Sequence, residues 1–214
     1  MNRDERRCDL VVILARGDSR RMGTPKGLLS LTEGGPPFAA LIAELYRSWA
    51  DVVLVARHRD VEHYVVALAD MPEVEILGGD PGGETALTLW TGWNHSRCGP
   101  QATHIWAHPV DMPLVGAKTV SALAAASRRR SEAVVRPTRN EEPGHPVVLP
   151  ATLLGELAAH DPWLQRPFRE FLAWRSSQPC APEFLALPDT DAGTVQDFDR
   201  PGDLVGDGEG AEYV

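Results

Sequence analysis

Apolar residues in this chain fall into short unbroken runs, and between the runs they recur at helical spacing. The run at 10–15, LVVILA, is β-branched and stops at Gly17, as a strand buried on both faces does. Similar runs at 52–56 (VVLVA), 74–77 (VEIL), 103–107 (THIWA), 133–136 and 147–149 predict five further strands. Between them, 38–49 places Leu41, Ile42, Leu45 and Trp49 on one helical stripe. Residues 61–69 read as a second helix, and a third starts near Thr85 with Leu89 and Trp93 on one side. Residues 115–130 turn Val120, Leu123 and Ala124 inward, and 151–160 and 167–174 complete the helices. Glycine and proline clusters at 32–37 and 78–83 mark loops. Strand and helix alternate with short connections, which predicts an α/β fold with a doubly wound, mostly parallel, Rossmann-like sheet. The stretch 133–149 reads instead as strand, polar loop, strand, a small β-hairpin insertion. There is no internal repeat. The pattern predicts one domain over 1–205 and an acidic, glycine-rich, flexible tail over 206–214.

Composition narrows the partners. The chain has 214 residues, of which 43% are hydrophobic and 24% charged, ordinary values for a globular protein. A chain of this size buries roughly 70% of its unfolded surface and needs no staples. The net charge of −9 argues against a nucleic acid partner. Cys8, Cys98 and Cys180 are far apart and show neither a disulfide framework nor zinc spacing, which points to a reducing cytoplasm. The apolar run at 10–15 is too short for a membrane span, and neither a leader nor a membrane partner is expected.

Against that acidic background one loop stands out. Directly after the first strand, Arg16, Arg20, Arg21 and Lys26 are opposed only by Asp18, with Gly17 and Gly23 among them. A glycine-containing cationic loop at the carboxyl end of a first buried strand suits an anionic ligand. The P-loop pattern is not met, because the glycines are six apart and Lys26 lies three past Gly23; the G-x-G-x-x-G fingerprint is absent as well. Farther on, Asp111 sits in D-M-P just past the fourth strand, on the same sheet edge. That is where a magnesium ligand would stand, and an aspartate before Met-Pro is also a common turn former. His104 and His108 share a strand face but have no third ligand in view, so they read as packing or supporting groups. Trp90 and Trp93 read as packing residues, and the SRRRS run at 127–131 as a solvated helix end.

The loop resembles the signature of the molybdenum-cofactor nucleotidyltransferases, MobA-like NTP transferases within the nucleotide-diphospho-sugar transferase superfamily: L-A-A-G, a variable piece, R-M-G, two residues, K. Here it reads L-A-R-G at 14–17, R-M-G at 21–23, and Lys26, with Arg16 replacing the second alanine. The resemblance implies a cytoplasmic, magnesium-dependent enzyme that moves a nucleoside monophosphate from an NTP to a phosphorylated acceptor and releases pyrophosphate. It implies nucleotide binding by Leu14, Ala15, Gly17, Arg21, Gly23, Lys26 and Thr88, with Arg21, Lys26 and Asp111 catalytic. It also matches Thr88, Leu89 and Gly92 to a Ser-Leu-x-x-Gly piece that faces the base. D-M-P is the second hallmark, in which Asp111 holds the metal, and DFDRPGDL resembles the closing D-I-D-T-P-E-D-L and makes its second aspartate, Asp199, the second metal ligand. Asp197 and Asp203 are then structural. Gly144 and His145, in a G-H-P piece that cytidylyl members share, would face the acceptor, beside the hairpin. That makes CTP the favoured donor and molybdopterin the favoured acceptor, with a molybdoenzyme or cofactor-insertion protein as the implied protein partner. A Gly-Asp-x-Gly loop of the cytidylyl members is replaced by Asp161-Pro162-Trp163, so the acceptor stays open. Guanylyl transfer, a sugar-phosphate or phospholactate acceptor, and a non-catalytic nucleotide- or cofactor-binding chaperone are the alternatives.

Overall fold

In the computed structural model, the structure describes residues 9–17, 23–79, 84–188, 190–199 and 203. Among these residues eight strands form one sheet: β1 (Asp9–Ala15), β2 (Asp51–Arg57), β3 (Glu75–Gly79), β4 (His104–Pro109), β5 (Val134–Arg139), β6 (Glu142–Pro143), β7 (Val147–Pro150) and β8 (Phe184–Leu187). Their order is β3-β2-β1-β4-β7-β5-β6, with β8 paired to β5. β1 pairs in parallel with β2 and with β4, and β2 with β3. β7 runs antiparallel between β4 and β5, and β8 is again parallel to β5. The expected α/β, mostly parallel Rossmann-like sheet is present; the two strands expected of the hairpin are β5 and β7, which pair antiparallel, and the short β6 between them also pairs antiparallel with β5.

Among the described residues six α-helices cover the sheet: α1 (Phe38–Tyr46), α2 (Val61–Ala67), α3 (Thr85–His95), α4 (Ala117–Arg129), α5 (Ala151–Ala159) and α6 (Phe168–Ser176). The strand period of two sorts the core into two layers. Val11, Ile13 and Ala15 pack with α1, α2 and α4, while Leu10 and Val12 pack with α3, α5 and α6. Among the described residues no helix is long and apolar enough to cross a membrane.

Four features differ from expectation. Gly78 and Gly79 belong to β3 and not to the following loop. A Cβ at Gly79 would come within 2.9 Å of the Arg16 side chain, so the strand passes beneath it only as glycine. Gly92 serves packing: a Cβ there would lie 2.7 Å from Val12, where α3 presses on β1. β8 has no forerunner among the expected strands. The first helix also stops at Tyr46, short of Trp49. Residues 18–22, 80–83 and 206–214, which include Asp18, Arg20, Arg21, part of the 78–83 loop and the expected tail, lie outside the described residues, as do Arg200 and Pro201.

Candidate functional site

The carboxyl ends of β1, β2 and β4 meet α3 around a cleft of about 430 Å³, lined among others by Leu14, Arg16, Gly17, Arg57, Glu84, Thr88, Asp111 and His145. An open α/β sheet places its ligands at this edge. At one end of the cleft Lys26 stands between two carboxylates. Its Nζ donates to Asp111 Oδ2 at 2.7 Å and also to Asp199 Oδ1. Burial disfavours the ammonium, but hydrogen bonds and charge from Asp111 and Asp199 outweigh it, and the Lys26 pKa is raised.

Each member of this trio is set by its own local structure. Lys26 opens a single 3-10 turn (Lys26–Leu28) behind Pro25. Gly27 lets that turn sit flush against Val110 and Tyr64, since a Cβ would meet them at 2.6 and 2.7 Å. Asp111 follows β4 in a turn tied to β1 by Val110 N–H donating to the Leu14 carbonyl at 3.2 Å. Asp199 arrives from far along the chain because Phe198 N–H donates to the Asp111 carbonyl at 3.0 Å. The Phe198 ring is buried and stacks on Phe38 with centroids 5.2 Å apart. Asp203 accepts from the Asp199 N–H at 2.8 Å, a structural role as expected from its sequence position. Partial desolvation, then the charges of Asp199 and Asp111, hold the Asp197 carboxyl above its ordinary range.

The D-M-P turn is held from beneath by His108, which is wholly buried. Its Nε2 lies 3.0 Å from the Met112 carbonyl and its Nδ1 2.8 Å from the Tyr46 hydroxyl. A carbonyl can only accept, so the proton sits on Nε2, and Nδ1 accepts from Tyr46 O–H. This is the neutral tautomer, and burial pushes the pKa down to about 4. Because the folded value lies below the ordinary 6.5, the term is fully present above pH 6.5 and is lost as pH falls toward 4. Urea unfolding should therefore show about 3 kcal/mol of stability lost across that window from this residue. A His108→Leu variant, less stable at pH 7, should show a flatter profile; an unchanged profile would assign the pH dependence elsewhere. His104, on the same strand face, pairs with Asp9 at 3.4 Å.

At the other end of the cleft, Arg57 Nε donates to the Arg16 carbonyl at 3.0 Å. Arg16 in turn donates from its guanidinium to Thr88 Oγ1 at 3.4 Å. On the β7 side, Gly144 N–H donates to Pro137 and His145 N–H to Thr194, at 2.9 and 2.8 Å. Burial, then the nearby Arg136, lower the His145 pKa. Its Nδ1 is buried without a hydrogen-bond partner among the described residues.

Of the residues expected at the site, Leu14, Gly17, Thr88, Asp111 and His145 line the cleft, and Lys26 and Asp199 join Asp111 at its end. Ala15 instead faces the core layer under α1. Gly23 is exposed at φ +68°, a turn that favours glycine. Arg21 lies outside the described residues. Sequence reading missed Arg57, Glu84 and Arg136. Arg57 could have been found by asking which charged residue ends each strand on the ligand-bearing edge.

Two carboxylate oxygens converging on one cationic atom form a donor set that fits a hard divalent cation, which takes oxygen ligands and is completed by substrate phosphates and water. Among the described residues no group of three or more His, Cys, Asp or Glu could hold a metal alone.

The profile described as "MobA-like NTP transferase domain" matches residues 11–179. No curated protein matches. Among solved structures, a Mycobacterium tuberculosis protein in complex with manganese, Rv0371C, is 19% identical, over 85% of this chain and 89% of its own, at TM-score 0.64. The molybdopterin-guanine dinucleotide biosynthesis protein A of Archaeoglobus fulgidus is 18% identical, over 91% and 94%, at TM-score 0.65. The 4-diphosphocytidyl-2C-methyl-D-erythritol synthase of Anaerococcus prevotii is 10% identical, over 93% of each chain, at TM-score 0.73. At these identities the likeness is one of fold.

Proposed function

The chain belongs to the MobA-like NTP transferase domain family, and from that membership we propose that it transfers a nucleoside monophosphate, with CMP from CTP favoured, to a phosphorylated acceptor, molybdopterin being the favoured one. The observation that carries this reading is the cation held between two carboxylates at the end of a strand-edge cleft. Nucleotidyl transfer joins an acceptor oxygen to the α-phosphorus while pyrophosphate leaves. Its barrier is mostly charge repulsion and misalignment, which positioning and electrostatics can lower. A phosphate-monoester acceptor is already ionised, so no general base is required.

Each residue then has a task. Gly17 and Leu14 shape the floor on which the nucleotide lies. Lys26 and Arg21 neutralise the triphosphate. Asp111 and Asp199 would hold magnesium, which when bound supplies Lewis-acid stabilisation of the charge that gathers on the phosphate oxygens. The Gly144 loop offers the acceptor a fixed edge. The His145 imidazole, which lines the cleft beside that loop, completes the acceptor edge.

The test is pyrophosphate release from each of the four NTPs, with molybdopterin present and with magnesium present or withheld. Release from CTP that needs both magnesium and the acceptor is expected. Release from GTP alone would move the assignment to guanylyl transfer. Nucleotide binding by calorimetry with no release from any NTP would favour a carrier of nucleotide or cofactor.

A further inference from the structure

We propose that Asp191 is a positioning residue that joins the acceptor loop at Gly144 and the carboxylate of Asp199 into one mechanical unit. The functional half of the inference rests on the roles proposed above for Asp199 and for the Gly144 loop.

Asp191 is not among the described residues that line the strand-edge cleft. It stands at the amino end of α4, where Gly116 precedes the first turn and has no side chain to cap it. The carboxylate arrives from 75 positions later: Gly116 N–H donates to Asp191 Oδ2 at 3.1 Å, and the Thr119 hydroxyl donates to the same oxygen. An acceptor is favoured there because the first N–H groups of a helix have no partner within it. The single turn that Asp191 opens, Ala192–Thr194, is closed on itself, since Thr194 Oγ1 donates to the Asp191 carbonyl at 2.8 Å.

This turn grips both sides of the site. On the acceptor side, the Thr194 carbonyl accepts from His145 N–H at 2.8 Å. Gly144 packs so closely there that a Cβ would stand 2.4 Å from the same carbonyl oxygen. On the metal side, Gly193 lies flush on the loop after Asp111, where a Cβ would stand 2.0 Å from the Leu114 carbonyl oxygen. Farther along the same segment, Phe198 N–H donates to the Asp111 carbonyl, and Asp199 shares Lys26 with Asp111. Thr194 and Gly193 are buried. Groups packed this closely cannot slide past one another, so a displacement of the turn reaches His145 and Asp199 together. Asp191 is the side chain that fastens the turn to α4, and its removal frees the turn without altering either loop.

Amide hydrogen exchange followed by NMR, beside titration of Mn2+ by electron paramagnetic resonance, tests this on the wild type and four variants. Asp191→Ala removes the cap, Asp191→Asn keeps an oxygen to accept from Gly116 and Thr119, and Thr194→Val opens the turn with its volume kept. Leu157→Val, in the core under α5, reports a general loss of stability. Amides released by one opening share one protection. Asp191→Ala should therefore speed exchange at His145 and Phe198 by a common factor and weaken Mn2+ binding by about tenfold. Thr194→Val should do the same to a lesser degree, and carries the test if Asp191→Ala does not fold. Asp191→Asn should stay within about twofold of the wild type in both readouts, and Leu157→Val should leave Mn2+ affinity unchanged. Faster exchange at Gly116 alone would reduce Asp191 to a helix cap and overturn the inference. A rise at only one of His145 and Phe198 overturns it too, as does an equal loss of Mn2+ affinity in Leu157→Val. A wild type that binds no Mn2+ would overturn the reading of Asp111 and Asp199 instead, and the two amides would still decide whether the turn joins their segments.

Discussion

Lys26→Met is expected to slow nucleotidyl transfer by about 10²-fold or more and, at the same time, to tighten the binding of Mn2+ alone by about tenfold or more. The two effects have opposite sign because Lys26 serves two partners in turn. Without nucleotide, its ammonium sits where the Asp111 and Asp199 carboxylates converge and neutralises them. A divalent cation must displace it. The Lys26 and Asp111 side chains are only 16% and 21% exposed, so the competition takes place where water screens it less than at an open surface. When a triphosphate arrives, it offers the ammonium a new counter-ion and releases the carboxylates to the metal. The reading therefore requires metal and nucleotide to bind with positive coupling. Asp111→Asn should lose as much rate and should bind Mn2+ more weakly than the wild type. Titration of unbound Mn2+ by electron paramagnetic resonance, beside a steady-state rate, checks both. Unchanged Mn2+ affinity in Lys26→Met would show that the ammonium does not guard the carboxylates, and an unchanged rate in either variant would remove that residue from the mechanism.

Phe198→Ala is expected to cost about 3–5 kcal/mol of stability and to weaken Mn2+ binding, although its side chain touches no ligand. The ring is 4% exposed and packs on Phe38, and its own N–H is what ties the closing segment to the Asp111 carbonyl. Truncation leaves a cavity at that junction and loosens the neighbouring Asp199. The contrasting substitution is Asp199→Asn, which keeps the side-chain volume, gives up one half-exposed ion pair with Lys26 and should cost at most about 1 kcal/mol, while it weakens Mn2+ binding directly. Urea unfolding with Mn2+ titration separates the two. Phe198→Leu, which refills most of the volume, should restore much of both properties; if it restores stability but not Mn2+ binding, the ring does more than fill space.

These residues also show how far the fold was legible in the sequence. The first strand was plain because both its faces are buried, and the position of Asp111 followed from the strand before it. β8 was not anticipated: Phe184–Leu187 is an apolar run of only four residues, set between Pro182 and Pro188 and partly exposed, and a run that short does not by itself separate strand from other structure. Gly78 and Gly79 read as loop because a strand glycine leaves no pattern, and the reason for them is the side chains lying across them. The antiparallel return of β7 on β5 followed from the hairpin read at 133–149, but its place beside β4 did not, since no local periodicity encodes which strand a returning segment joins. At the site, the D-M-P motif was visible but the closeness of Asp199 to Asp111 rested on resemblance, since 88 positions separate them and tertiary contacts join them, among them the Phe198 N–H on the Asp111 carbonyl and Lys26 between the carboxylates. Arg57 looked like any surface cation, and only its burial sets it apart.

The late position of Phe198 and Asp199 has a consequence during synthesis. Chains emerge from the ribosome amino end first, at about 5–20 residues per second. β1, β2, β3 and α3 are complete by residue 95, so the half of the cleft that holds Arg16, Arg57 and Thr88 can assemble early. The second carboxylate comes more than 100 residues later. On the proposed reading, a chain cut short before residue 199 would carry that half of the cleft yet lack half of the acidic pair, and would be silent in nucleotidyl transfer.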